Sequence, residues 1–136
     1  MEHYTEFLPI SRADMEARGW DQLDFVVVGG DAYVDHPSFG TAIISRLLEA
    51  EGYKVGVLAQ PRYTDCEDFK RFGKPKYGFF IGGGNVDSMV SHYSVAKIPR
   101  AEDEYSPGGK GGARPDRSAT VYTRLAKQAY PDLPVI

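Results

Sequence analysis

The sequence predicts an α/β protein: a three-layer, doubly wound or flavodoxin-like fold on a mostly parallel sheet, broken off at its last strand. Three observations predict it. Short apolar runs alternate along the chain with stretches of helical period. The first run, Phe25-Val26-Val27-Val28, is continuously apolar, the pattern of a strand buried on both faces. The closing "PDLPVI" turns apolar only at its end, like the first half of a further strand.

The elements follow in order. Residues 1–23 read as an arm plus a short helix, with Ser11 and Asp14 spaced as a capping box and Gly19 suited to the residue after the helix. Residues 24–136 read as the doubly wound domain, opening with a strand at about 24–30. A helix over about 38–51 follows, capped by Ser38 or Asp35, with Phe39, Ala42, Ile43, Leu47 and Ala50 at helical spacing. Gly52 ends it, and Tyr53–Ala59 makes the second strand, completing a βαβ unit of the usual right hand. A short helix near Asp65–Phe72 leads to a third strand, Tyr77–Gly83, and another short helix starts near Asn85. Residues 97–116 hold four glycines and four charges of each sign, a loop long enough to be functional or mobile. A helix starting at Pro115 or Asp116 presents Val121, Leu125 and Ala129 on one face.

Composition narrows the function. A chain of 136 residues buries a real core without disulfides. Its net charge of -3 argues against nucleic acid, which calls for a basic face. Its single cysteine, Cys66, forms no internal disulfide and cannot alone hold zinc or an iron–sulfur cluster. No run approaches the roughly 20 apolar residues that span a bilayer, and the N-terminus lacks the apolar core of a signal peptide. These features imply a protein of the reducing cytoplasm that binds no membrane.

In doubly wound sheets ligands sit beyond the carboxyl ends of the strands. Gly29–Ser38, Ala59–Asp65 and Gly82–Ser88 should meet there. The candidate pocket is Asp31, Asp35, His36 and Ser38 from the first segment, with Gly83, Gly84 and Asn85 from the third. The first four precede a helix N-terminus, which favours an anion. The glycines let a ligand approach the backbone. His36 could bind a metal with Asp35 orienting its ring, or the pair could merely pin the loop. The triple glycine at 82–84 does not complete G-x-G-x-x-G and follows the third strand, so no dinucleotide fingerprint is present. "GGKGG" at 108–112 lacks the Ser or Thr of a Walker A loop. Ser88 and His92 would share a helix face, yet no nucleophile elbow surrounds Ser88. The outcome is a pocket without a complete catalytic set and without a metal site.

Several stretches carry a resemblance. "FLPISRADMEARGWDQLDFVVVGGDAYVDHPSFGTAIISRLLEAEGYKVGVLAQP", "GNVDSMVSHY", "SPGGKGGARPDRSATVY" and "DLPVI" together resemble, in the same order, the start of the YgiQ-type family of bacterial radical SAM proteins. The resemblance implies an N-terminal accessory domain whose partner is the radical SAM catalytic domain of the same parent chain. That parent would bind a [4Fe–4S] cluster through a three-cysteine motif, together with S-adenosylmethionine, and cleave the latter to a 5′-deoxyadenosyl radical. Many such enzymes carry an N-terminal domain similar to the cobalamin-binding fold. In the cobalt-ligating motif D-x-H-x-x-G the acid lies two residues before the histidine. Here Asp35 adjoins His36 and Gly40 lies four beyond it. The displacement argues against His36 as a cobalt ligand and leaves open a corrinoid held without one. A ligand-binding module for corrinoid or nucleotide and a purely structural domain are the alternatives. An exposed edge at the last strand leaves dimerisation open.

Overall fold

A computed structural model of the protein describes residues 7–33, 36, 39–84, 93, 96, 98, 101–102, 106–109, 111–112 and 115–136. Three strands, β1 Phe25–Gly29, β2 Val55–Ala59 and β3 Gly78–Gly82, form a parallel sheet in the order β2-β1-β3. Val27 of the central strand pairs with Val57 on one side and Phe80 on the other. A strand flanked on both edges and covered on both faces has no place for a polar side chain, which explains its unbroken apolar run. Outside β3, Val135 makes a parallel bridge with Phe79. The Phe79 amide donates to the Pro134 carbonyl at 3.1 Å, and the Ile81 amide to the Ile136 carbonyl at 2.8 Å. The expected start of a fourth strand is seen as a single bridge at Val135 on the outer side of β3, and this spatial order is that of the flavodoxin-like doubly wound sheets.

Successive residues of a strand face opposite ways. Val26, Val28, Leu58 and Phe79 face one side and join Met15, Leu23, Phe69, Phe72, Tyr122 and Leu125 in one buried cluster. A 3-10 turn at Glu67–Lys70 and helix α3, Ser118–Ala129, cover this face; the ring of Phe69 stands 6.1 Å from those of Phe79 and Tyr122. (Helix α1 spans Arg12–Ala17 and helix α2 Gly40–Ala50.) α2 lies on the other face, over β1 and β2. The chain thus crosses one face between β1 and β2 and the opposite face on its way to β3 and residue 134, as right-handed crossovers require.

α1 closes the β2 side of the sheet. The Ser11 hydroxyl accepts from the Asp14 amide at 3.3 Å, as a cap does. The Asp14 carboxylate accepts from the Ile10 amide at 3.2 Å, one residue beyond the Ser11 amide that a reciprocal capping box would use. Gly19 takes φ 76°, the left-handed turn expected after the helix. Met15 is fully buried, and the Pro9 carbonyl accepts from the Val57 amide at 2.8 Å, covering part of the β2 edge. The Arg18 guanidinium ties α1 to α2: it lies 3.1 Å from the Glu49 carboxylate, donates to the Phe7 carbonyl at 2.8 Å and stacks 5.0 Å from the Trp20 ring.

Four expectations need correction. α2 begins at Gly40 with Phe39 at the cap position and no side-chain cap bond, so the expected Ser38 or Asp35 cap is replaced by a residue with no acceptor. The segment 65–72 holds only the 3-10 turn, whose rigid element is the buried Phe69 ring. α3 starts at Ser118 after Arg117 at φ 50°, and it buries Tyr122, Leu125 and Ala126, with Val121 and Ala129 only half-buried. The helix is rotated because the Tyr122 ring fills the gap beside Phe69. The expected inner stripe of α2 is the largest difference. Ala42 and Ser45 are buried, whereas Ile43, Ile44 and Leu47 are 50%, 44% and 61% exposed. Small residues bring the helix close to the sheet and leave the large ones outside. The helix expected from Asn85 lies outside the described residues.

The Arg18 side chain is 9% exposed and that of Glu49 19%. Glu49 also pairs with Arg46 at 2.8 Å, so Arg18→Ala removes one of two partners and should cost about 1–2 kcal/mol in urea unfolding. The Arg12–Glu16 pair is solvent-exposed at both ends, so Arg12→Ala should cost about 0.5 kcal/mol or less.

Candidate functional site

The carboxyl ends of β1 and β3 meet without side chains between them. A Cβ on Gly30 would collide with the Gly83 carbonyl, and one on Gly29 would lie 2.8 Å from Thr41 Oγ1. Glycine is therefore required at Gly30, where backbone touches backbone, whereas at Gly29 the Thr41 hydroxyl would have to turn aside. The Ser118 hydroxyl donates to the Gly83 carbonyl at 3.2 Å and fastens the end of β3 to the start of α3.

Gln60 holds the end of β2. Its amide donates to the Gly29 carbonyl at 2.9 Å, and its side-chain Nε2 donates to the Gly30 carbonyl at 3.0 Å and to Ser106 Oγ at 2.6 Å. It does so at φ 44°, a conformation few non-glycine residues adopt. The charged loop is fastened to this end of the sheet: Ser106 is buried, and Tyr63 Oη donates to the Gly112 carbonyl at 3.1 Å. The Tyr93 phenol donates to Asp116 at 2.9 Å, and that bond to a carboxylate pushes its pKa above the ordinary value.

A cavity of about 430 Å³ opens beside these strand ends. Val27, Phe39, Ile44, Phe80 and Ile136 give it an apolar floor and walls; Asp31, the backbone of Gly82–Gly84, Gly40 and Thr41 give it a polar rim. Of the residues singled out from the sequence, Asp31, Gly83 and Gly84 line this one cavity. Asp31 is 7% exposed. His36 lies on the surface and off the cavity wall, its carbonyl accepting from the Phe39 amide at 2.9 Å. Asp35, Ser38 and Asn85 lie outside the described residues, as do Ser88, His92 and Lys110. Sequence reasoning missed Gln60, Thr41, Phe39 and Ser118. The available signal was positional: Gln60 ends a strand just before Pro61, where a ligand-crevice residue is expected.

Chemically, the arrangement can enclose an apolar body beneath a rim of backbone groups. Asp31 shares the cavity with the N-terminal turn of α2, so the helix's partial positive charge already has a carboxylate nearby. Among the described residues no group of three or more His, Cys, Asp or Glu is placed to hold a metal ion. None of the described helices is long and apolar enough to cross a membrane.

The fold defines the class: a doubly wound parallel α/β domain with a cavity beyond the carboxyl ends of its strands. Residues 7–136 match the radical SAM N-terminal family, and the chain belongs to it. It is similar to the UPF0313 protein of Clostridium botulinum strain Loch Maree, 60% identical over 131 residues. It is also similar to the UPF0313 protein of Clostridium perfringens strain SM101, 53% identical over 132 residues. These matches cover 96% and 97% of this chain but only 20% of either relative. The chain thus corresponds to a radical SAM N-terminal domain of UPF0313 proteins. No solved structure matches it.

Gly30 and Gly40 both border the crevice, yet only Gly30 is confined; a Cβ on Gly40 meets nothing within 4 Å. Gly30→Ala should lower unfolding free energy by about 1–3 kcal/mol, because two backbones must separate. Gly40→Ala should change it by less than about 0.5 kcal/mol, because the site is open. Urea titrations of the two variants check the contrast.

Proposed function

We propose that this chain is an accessory domain that carries no chemistry itself and sits at the front of a radical SAM protein. The [4Fe–4S] cluster and S-adenosylmethionine bind to a catalytic domain further along the same polypeptide. One observation carries the reading: the chain matches the radical SAM N-terminal family over residues 7–136 while holding one cysteine. A cluster of this class takes three thiolates, and Cys66 is half-buried against the core. The residues of this chain do not fit the cluster, and no step of radical chemistry is assigned to them. The domain's role is to cover the mouth of the catalytic unit and shape access to it, with the 97–116 loop toward that neighbour. The tie from Gln60 to Ser106 supports such a role, because it holds part of that loop at the strand ends.

The test compares two polypeptides after anaerobic reconstitution with iron and sulfide. The 136-residue chain should show no visible cluster band and form no 5′-deoxyadenosine from S-adenosylmethionine under a strong reductant. A polypeptide of the relatives' full length should do both. Turnover by the short chain alone would overturn the reading.

The shared cavity of Asp31, Gly83 and Gly84 favours a second reading, a corrinoid-binding module. Titration with hydroxocobalamin, followed by its visible spectrum and by co-elution on gel filtration, tests it. Because His36 lies off the cavity wall, His36→Ala should leave any corrinoid spectrum unchanged. Loss of binding in that variant would restore His36 as the cobalt ligand.

A further inference from the structure

Both faces of β3 carry large apolar side chains, but they are treated differently. Phe79, toward α3, is fully buried; Phe80, toward α2, is only half-buried. Among the described residues α2 packs mainly over β1 and β2. A trough is left on that side. Its floor is Val27 and Phe80, one wall is Ile44 of α2, and Ile136 lies at its far margin, 67% exposed. Leu47, three residues on from Ile44 and so its neighbour on the helix surface, is 61% exposed, and Tyr53 and Tyr77 pack their rings around Phe25. Parallel sheets are stable only with both faces covered.

The topology restricts what can cover it. Residues 134–136 add on the side of β3 away from β1, so the sheet grows in one direction from β1. Right-handed crossovers running that way stay on the α3 face. A helix on the α2 face must therefore follow the last strand of the sheet, lying alongside α2 and returning across β1 and β3.

We infer that the trough seats an amphipathic helix from the same polypeptide, supplied in the longer relatives by the region beyond the matched 20%. The inference rests on the accessory-domain reading and adds the contact surface. Once seated, the helix fills the apolar part of the cavity over Val27, Phe80 and Ile44, leaving the rim at Asp31 and Gly82–Gly84 open.

Thiol labelling tests it. In a Cys66→Ser background, Ile44→Cys, Leu47→Cys and Gln128→Cys are each made in the 136-residue chain and in a polypeptide of the relatives' length; Gln128 is exposed on the α3 side. In the long form, maleimide should modify the cysteines at 44 and 47 about tenfold more slowly than in the short form, as for groups that react only on local opening. The cysteine at 128 should react equally in both. Equal rates at 44 and 47, or slowing at all three, would overturn the inference. Protection in the short form that grows with protein concentration would assign the trough to a second copy instead, and also overturn it. As a second readout, Ile44→Asp should lower the melting temperature of the long form and leave that of the short form unchanged. Cluster content of the long form is measured separately, so failure of the docking and failure of the accessory-domain reading give different results.

Discussion

The constraint on which the structure depends is the position of β1. It pairs in parallel with β2 on one edge and β3 on the other, so its amides and carbonyls are committed to the ladder and its side chains face both layers. Parallel pairing also dictates long crossovers, and those crossovers supply the covering elements. α2 follows from the move to β2. The Phe69 turn and α3 follow from the two moves the other way. The buried cluster from Met15 to Leu133 therefore forms on the α3 side, where two connections overlap, and packing is thinner on the α2 side, where one connection lies.

The same geometry makes the crevice. With β1 central and the two crossovers leaving to opposite faces, the chain ends of β1 and β3 part from each other just above Gly30 and Gly83. The backbones touch there, so the crevice begins at a fixed depth. Ser118 and Gln60 act on either side of that contact: one clamps β3 to α3, the other clamps β2 and the loop at Ser106 to β1. Asp31 lies immediately beyond, as a buried carboxylate on the rim. Farther along the same sheet, Lys74 donates to Asp132 at 2.7 Å, and that bond holds the Asp132 carboxyl below the usual range while tying the start of β3 to the turn before residue 134.

Much of this was legible in the residues. The apolar runs placed all three strands, and "PDLPVI" signalled the start of a further one without naming its neighbour, because strand burial writes itself into local composition. The crevice was legible in outline for a topological reason: its place depends on strand order, and Asp31, Gly83 and Gly84 follow from it. What was not legible depends on partners distant in sequence. Helical period put Ala42, Ile43 and Leu47 on one apolar stripe, but it could not say that Ala42 would face the sheet with Ser45 while the two larger residues stayed outside. Val121 and Tyr122 both suit the inner face of α3, and only the gap beside Phe69 selects the tyrosine. Gln60 carries no motif; its importance comes from two carbonyl partners on β1 and a hydroxyl 46 residues further along.

The exposed stripe on α2 and the crevice are linked by this asymmetry. Burial of an aliphatic side chain contributes on the order of 1.5–3 kcal/mol, so leaving Ile43, Ile44 and Leu47 outside forfeits a stabilisation comparable to the margin of a small domain. Replacing them with polar residues would cost an isolated domain little and make it more soluble. Their presence makes physical sense where the helix has a neighbour on that side. The α3 side shows the complementary economy: Val121 and Ala129 need only half burial because Tyr122, Leu125 and Ala126 already fill the interface. One face of the sheet is thus complete within this chain. On the other, Ile43, Ile44 and Leu47 stay exposed within this chain, and the cavity that Ile44 helps to line sits at the upper margin of that second face.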